Sequence, residues 1–310
     1  MSARQVLVAM LGLSLVLQSG ARAQGPVDAG FSGNLTAAPP NPRWVEYMKN
    51  RAAPLAAGFT AEGHGLGWIP PTVDLSHATG QQVAFTGYQL LTLPTSYDLR
   101  TVLNKLPPVR DQRQCGSCWV FGTYGSLESC LRPGETTWDF SEMDMNCSHG
   151  FDWLPCEGGN AWISTAFLAR WDGPVNESCY PYPAGSSYAC TSPRPSCALQ
   201  KHVQEVLFLP GRSNSLDNDN LKNAVMTYGA VDTTIYWDDA SYNPATYSYY
   251  YTGTDGNHDI CIVGWDDNYD KSKFLTTPPG NGAFIMRNSW GSSWGQSGYF
   301  YISYHCCPVV

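Results

Sequence analysis

Gln112-Arg113-Gln114-Cys115-Gly116-Ser117-Cys118-Trp119 sets a turn of small residues directly ahead of a cysteine that opens a helical pattern. From Ser117 to Arg132 the apolar residues Trp119, Phe121, Tyr124, Leu127 and Leu131 keep helical spacing, and Pro133-Gly134 ends the run. Cys118 therefore falls in the first turn of a predicted helix. A free thiol titrates near about 8.5, and a helix N-terminus together with a neighbouring imidazolium lowers that by several units. Cys118 is thus a candidate nucleophile. The competing readings are a half-cystine or, with Cys115, a redox or zinc Cys-x-x-Cys; a zinc site would need a second ligand pair.

A thiol nucleophile needs a base and a group to orient it. Of the six histidines, only His258 precedes an apolar strand pattern, Ile260 to Trp265, and lies upstream of a suitable amide. It follows Cys118 by 140 residues. The amide is Asn288, which opens Asn288-Ser289-Trp290-Gly291-Ser292-Ser293-Trp294-Gly295 and is placed to fix the tautomer of the ring. Taken singly, a histidine at a strand start is usually structural, and an asparagine beside a turn usually caps backbone. Gln112, six residues before Cys118, can fold its side-chain amide back toward the thiol and, with the Cys118 backbone N–H, supply two donors for an oxyanion. The three segments together point to acyl transfer through a cysteine thiolate.

Composition bounds the alternatives. The 310 residues are 43% hydrophobic, enough for one or two packed lobes, and only 14% are charged with a formal net charge of −8. That balance offers no basic surface for nucleic acid or anionic lipid. Residues 1–23 carry Arg4, an apolar run from Val6 to Leu17, and Ala21-Arg22-Ala23, the three-part pattern of a secretory signal. The run is 12 residues long, short of the about 20 that span a bilayer. Eleven cysteines in an exported chain imply disulfides, and the odd number leaves at least one thiol unpaired.

Residues 24–93 hold no cysteine and are punctuated by Pro39-Pro40-Asn41-Pro42, Gly65-Leu66-Gly67 and Pro70-Pro71. One short helix is expected there, over 44–57, with the rest extended or irregular. Beyond a boundary near residue 93, helices are expected over 117–132, 159–171 and 217–228, and strands over 230–236, 259–265, 282–287 and 298–304. The first half of this region is helical and the second mostly strand. Tyr247 to Tyr251 reads as a half-buried strand and loop rather than a sugar platform. Asn34, Asn146 and Asn176 fit the N-glycosylation pattern.

From about Leu93 onward the chain resembles the papain-like, cathepsin-like cysteine peptidases, on the four segments around Gln112, Cys118, His258 and Asn288 and on Cys156-Glu157-Gly158-Gly159. The resemblance implies an α+β fold of two lobes, a helical left lobe and a β-barrel-like right lobe with the cleft between them. It implies roles for Gln112 at the oxyanion, Cys118 as nucleophile, His258 as base, Asn288 as orienting amide and Trp290 as an aromatic shield over the last two. Gly158 and Gly159 would bind substrate backbone as an extended strand. Disulfides Cys115–Cys156 and Cys147–Cys190 follow from the same likeness, with Cys130–Cys179 a further guess, and Cys261 is read as a buried thiol. Asp259 stands where the family usually has a small apolar residue flooring the S2 pocket, which would favour a basic P2 side chain; otherwise it points to solvent or joins an ion pair.

The segment Gly63 to His77 also resembles the leader of secreted microbial members that often carry a lectin-like domain. That would make 24–93 a pro-segment or an N-terminal extension and 94–310 the peptidase domain. The common cathepsin propeptide signatures are not recognisable in it. The His258-to-Asn288 spacing of 30 is longer than in papain, and the chain stops soon after Tyr304, where relatives continue, so it is read as either truncated at its C-terminal end or closing the right-hand lobe differently. The expectation is a secreted or otherwise extracytoplasmic, monomeric cysteine endopeptidase acting on proteins or peptides without metal or other cofactor. A transglutaminase-like or transpeptidase-like acyl transferase and a non-catalytic binding protein on the same fold are the alternatives.

Overall fold

The computed structural model describes residues 39–50, 58–83, 85, 92–135 and 137–306. The expected signal segment, residues 1–23, lies outside them, as does the second half of the helix expected over 44–57. The first half forms α1, Pro42–Asn50.

The left lobe is built on helix α2, Cys118–Leu131. Its sequence suggested one apolar stripe, yet all but the last two of its residues are buried, because the helix runs between the lobes. Its left side packs through Trp119, Val120, Tyr124 and Leu127 against Phe140, Met145, Ile163 and Phe167. These partners come from α3, Glu142–Ser148, from α4, Ala161–Ala169, and from the loop before α3. Helix α4 begins at Asn160, whose side chain accepts the N–H groups of Trp162 and Ile163. Helix α3 was not expected. Its seven residues are too few to show a period, although Ser141 caps it by accepting the Asp144 N–H.

The right lobe is a mixed sheet of seven strands. In chain order they are β1 Ser96–Asp98, β2 Val231–Ile235, β3 Tyr242–Asn243, β4 Ser248–Tyr249, β5 His258–Asp266, β6 Ala283–Arg287 and β7 Tyr299–Ser303. The path runs β1-β5-β6-β7-β4-β3, with β2 also on β5; every pairing is antiparallel except β4 with β7. Strand β5 is the centre: its first half pairs with β2, its second with β1, and β6 covers the other edge. All its residues but Asp266 are buried, so it reads as a continuous apolar run rather than an alternating one. Its face carries Ile260, Ile262 and Trp265 into a core shared with Phe284, Met286 and Phe300. Each such side chain contributes about 1.5–3 kcal/mol on burial. Helix α5, Asp219–Thr227, adds Leu221, Ala224 and Val225 to the same core. The Tyr-rich stretch supplies a strand, β4, as expected, although both its residues are buried rather than half-buried.

The lobes meet where α2 lies on β2 and β5. Small residues on the helix allow this: a Cβ at Gly122 would fall 2.2 Å from Asp232 Oδ1, and the Cys261 thiol donates to the Gly122 carbonyl at 3.3 Å. The helix that starts at Cys118 is thereby clamped to the strand that starts at His258.

Disulfides Cys115–Cys156 and Cys147–Cys190 are present as the resemblance implied, and Cys261 is a buried thiol. The guess of Cys130–Cys179 is wrong: Cys179 bonds Cys197, 18 residues away. The connection after α4 folds back on itself and brings those two together, whereas Cys130 sits in the last turn of α2 near Lys105. Asn146 is 2% exposed within α3, which removes it as a glycosylation acceptor in the folded chain.

Candidate active site

Cys118 is the first residue of α2 and is fully buried, its sulfur facing the backbone N–H groups of Asp259, Gly67 and Trp119. Asp259 directly follows His258, so the thiol lies against the start of β5. His258 is also fully buried, and its Nε2 is 2.8 Å from Asn288 Oδ1. The same Asn288 atom accepts the Ser289 N–H at 2.8 Å, which identifies it as the carbonyl oxygen. His258 Nε2 therefore carries the proton and donates, leaving Nδ1 with its lone pair, buried and without a partner. Trp290 stacks on the His258 ring at 4.7 Å and is itself buried.

Gln112 is fully buried and held from two sides. Its backbone N–H donates to Ser289 O at 2.8 Å, and its Oε1 accepts from Ser289 Oγ at 2.5 Å. These contacts fix the amide so that Nε2 points away from Ser289, donating to Cys115 O at 2.8 Å and to Gly65 O at 2.9 Å. Ser289 was not singled out in the sequence. Its place beside Asn288 gave no hint that it would clamp a residue 177 positions earlier.

Gly65 belongs to a feature the sequence left as irregular chain: residues 58–71 cross the cleft between the lobes. Gly159 brackets Trp68 in a parallel bridge, accepting from Ile69 N at 2.9 Å and donating to Gly67 O at 2.8 Å. On the other wall Trp68 N donates to Asn257 O at 3.0 Å. His64 stacks on Trp290 at 4.9 Å. Gly159, expected with Gly158 to bind substrate backbone, here brackets the chain's own segment. Their lack of side chains is required, since a Cβ at Gly159 would sit 2.4 Å from the Trp119 ring and one at Gly158 2.6 Å from Gly67 O.

The covered cleft changes the electrostatics. The sequence led to the expectation of a thiol made acidic by the helix N-terminus and an imidazolium. Here burial pushes the Cys118 thiol well above its ordinary range, the Asp259 carboxyl adds to this, and the three N–H groups pull only partly the other way. Burial likewise lowers His258 to about 4, opposed by the Asn288 bond and reinforced by His64. With residues 58–71 in place, burial disfavours the charged form of both groups. Asp259 points neither to solvent nor into an ion pair; it is 2% exposed and accepts from Thr234 Oγ1 at 2.6 Å.

Among the described residues no helix is long and apolar enough to cross a membrane. A family model described as papain family cysteine protease matches residues 93–308. Pro-cathepsin H of Mus musculus is 29% identical over 218 residues, which are 67% of this chain and 60% of that protein. The cysteine protease and lectin-like domains of Cwp84, a surface layer associated protein of Clostridium difficile, match at a TM-score of 0.66 and 23% identity, covering 88% of this chain and 58% of that one. Digestive procathepsin L2 proteinase from Tenebrio molitor larval midgut matches at 0.55 and 22%, covering 86% of this chain and 89% of that one. At these identities the two structures speak to the fold, the two-lobe α+β arrangement implied by the motifs. The chain spans less than two thirds of the length of pro-cathepsin H. It belongs to the papain family of cysteine proteases.

Proposed function

We propose that this protein is a secreted cysteine endopeptidase whose cleft is covered by its own pro-segment. Residues 1–23 are its export signal, 24–93 its pro-segment and 94–310 its peptidase domain, working outside the cytoplasm on protein or peptide substrates. The observation that carries this reading is the His258–Asn288 pair, which leaves Nδ1 as a buried lone pair at the strand start that the Cys118 sulfur touches.

Removal of residues 58–71 returns water to the cleft and lifts the burial that disfavours the charged thiolate and imidazolium. The Cys118 proton passes to His258 Nδ1 and the sulfur attacks the scissile carbonyl carbon. The oxyanion takes the place now held by the Gly65 carbonyl, on Gln112 Nε2, with the Cys118 backbone N–H as second donor. Collapse breaks the C–N bond, and His258 gives its proton to the departing amine. Water then attacks the thioester, losing a proton to His258, and the acid and the Cys118 thiol are released. Asn288 acts as a positioning residue throughout.

The test is hydrolysis of an unstructured protein by the activated chain, with and without a primary amine in excess. The proposal expects free carboxyl products in both cases and no turnover by Cys118→Ala. Products joined to the amine would instead mean acyl transfer, and undiminished turnover by Cys118→Ala would remove the nucleophile.

A further inference from the structure

The left lobe supplies a hydroxyl that the reaction as described does not use. The connection after α4 is tied at Cys179 to Cys197 and at Cys190 to Cys147, and between these ties it brings Tyr182 against the turn formed by residues 112–117. The Tyr182 ring stands edge-on to Phe121 of α2 at 5.0 Å, and its backbone N–H donates to Glu177 Oε1 at 2.6 Å. Covalent ties, packing and main chain all hold it in place. Burial raises the phenol far above its ordinary range, so the hydroxyl keeps its proton at any working pH.

That hydroxyl has one proton and meets two oxygens, Gln112 O at 3.0 Å and Ser117 Oγ at 2.8 Å. A carbonyl can only accept, so Tyr182 donates to Gln112 and Ser117 Oγ donates to Tyr182. Ser117 is the N-cap of α2, a place where a serine side chain ordinarily accepts a first-turn N–H. Here it makes no such bond, and the Trp119 N–H is left to the Cys118 sulfur. Gln112 carries one oxyanion donor on its side chain, and Ser117 shares a peptide unit with the other, the Cys118 N–H. A single hydroxyl therefore joins the two residues that set where both donors lie. The turn's own closing bond, from Cys115 N to Gln112 O, is long at 3.2 Å, so Tyr182 has the shorter hold on that carbonyl. Ser289 grips the same glutamine by its side chain from the other lobe.

We propose that Tyr182 is a positioning residue for the oxyanion site: by bridging Gln112 O and Ser117 Oγ it sets the separation between Gln112 Nε2 and the Cys118 N–H. The inference rests on the peptidase reading and adds a residue to it. Donors stabilise a developing oxyanion only when they sit about 2.7–3.1 Å from it, so a few tenths of an ångström in the turn matter. Without the hydroxyl, Gln112 O keeps only the long bond from Cys115, and Ser117 Oγ is released to cap the helix. Outright loss of one donor costs about 100- to 1,000-fold in kcat, and a displacement that leaves both donors present costs less, about 10- to 100-fold.

The experiment compares the activated wild type with Tyr182→Phe, which keeps the ring beside Phe121 and removes only the hydroxyl. Three quantities are read: kcat and KM on a fluorogenic peptide, affinity for a peptide aldehyde whose adduct with the thiol places an oxygen in the oxyanion site, and the rate of alkylation by chloroacetamide, which develops no oxyanion. Tyr182→Phe should lower kcat about 10- to 100-fold at unchanged KM, weaken the aldehyde by a similar factor, and leave alkylation at the wild-type rate. A role in stability alone would lower the melting temperature and leave kcat and aldehyde affinity unchanged, which overturns the inference. A fall in alkylation equal to the fall in kcat also overturns it, by placing the effect on the sulfur. Ser117→Ala removes the other bond of the bridge and should weaken the aldehyde about 3- to 10-fold, in proportion to one hydrogen bond. It decides the matter even if Tyr182→Phe does not fold, since aldehyde affinity at the wild-type level in Ser117→Ala overturns the bridge. Absence of hydrolysis by the activated wild type overturns the peptidase reading and this inference with it.

Discussion

Gly67→Ala should expose the nucleophile in the uncleaved chain. The added Cβ would lie 2.0 Å from Gly116 O and 2.2 Å from Gly116 C, both backbone atoms that cannot swing aside. Restoring ordinary contact near 3.4 Å requires the segment to lift by more than 1 Å. A lift of that size breaks the bonds that seat it: Gly159 N to Gly67 O, Ile69 N to Gly159 O, and Gln112 Nε2 to Gly65 O. At about 0.5–1.5 kcal/mol net for each of the three bonds, the seated state loses roughly 1.5–4.5 kcal/mol, or about 10- to 2,000-fold in occupancy. The assay is the rate at which a small alkylating reagent modifies Cys118 in the full-length chain, read by peptide mass mapping. Gly67→Ala should label faster by at least about 10-fold. Gly58→Ala, whose Cβ meets only the Leu66 side chain at 3.6 Å, should label as the wild type does. Labelling of Gly67→Ala at the wild-type rate would refute the claim that residues 58–71 are what shields the sulfur.

Asn288→Ala removes the acceptor of the His258 Nε2 proton, a bond to a group that becomes charged during turnover. It should lower kcat of the activated enzyme by about 10- to 150-fold with little change in KM, measured on a fluorogenic peptide. The fold should also be more stable in acid than at neutrality. Burial raises Glu142 well above its ordinary value and Glu128 and Glu177 to about 7, so the folded chain holds protons that the unfolded chain has released. The stability they confer is complete below about 4.5 and is lost as pH rises through about 7; Asp144, Asp232 and Asp259, also raised, add to it, and together these six outnumber His149, His258 and His305, which burial lowers and which act in the opposite sense. Thermal melting should therefore decline from pH 4.5 to 7.5. Glu142→Gln should flatten the decline and gain about 2–4 °C at pH 7 for each roughly 1 kcal/mol recovered. An unchanged slope would show that this cluster does not set it.

The fold was legible where local signals agreed with tertiary packing. Helices α2, α4 and α5 and strands β2, β5, β6 and β7 fall within two residues of the expected ranges, because each combines an apolar run with a cap or a turn residue at its end. What escaped were elements defined by their neighbours. Strands β1 and β3 are two or three residues long and exist only because β5 and β4 offer them an edge. Helix α3 is likewise too short to carry a period.

The site divides in the same way. Motif order led to Gln112, Cys118, His258, Asn288, Gly158, Gly159 and Trp290, and the fold brings all of them to one cleft. Ser289 gave no signal, since it acts through a hydroxyl across the lobes. Gly65-Leu66-Gly67 was read as punctuation, although only a chain without side chains at 65 and 67 passes this close to the Cys115–Gly116 backbone. Burial works against the expected ionised pair in this covered state for a related reason. Sequence specifies the groups, but the segment lying over them decides their solvation.

The most direct test of the account is a rapid-quench experiment on the activated enzyme with an excess of a slowly deacylating ester of a short peptide, followed by mass mapping. The account predicts transient addition of the acyl group to Cys118, and to no other residue, at a rate that matches release of the first product. First-product release with no acyl group on Cys118 at any time, or with the acyl group on another side chain, would contradict it.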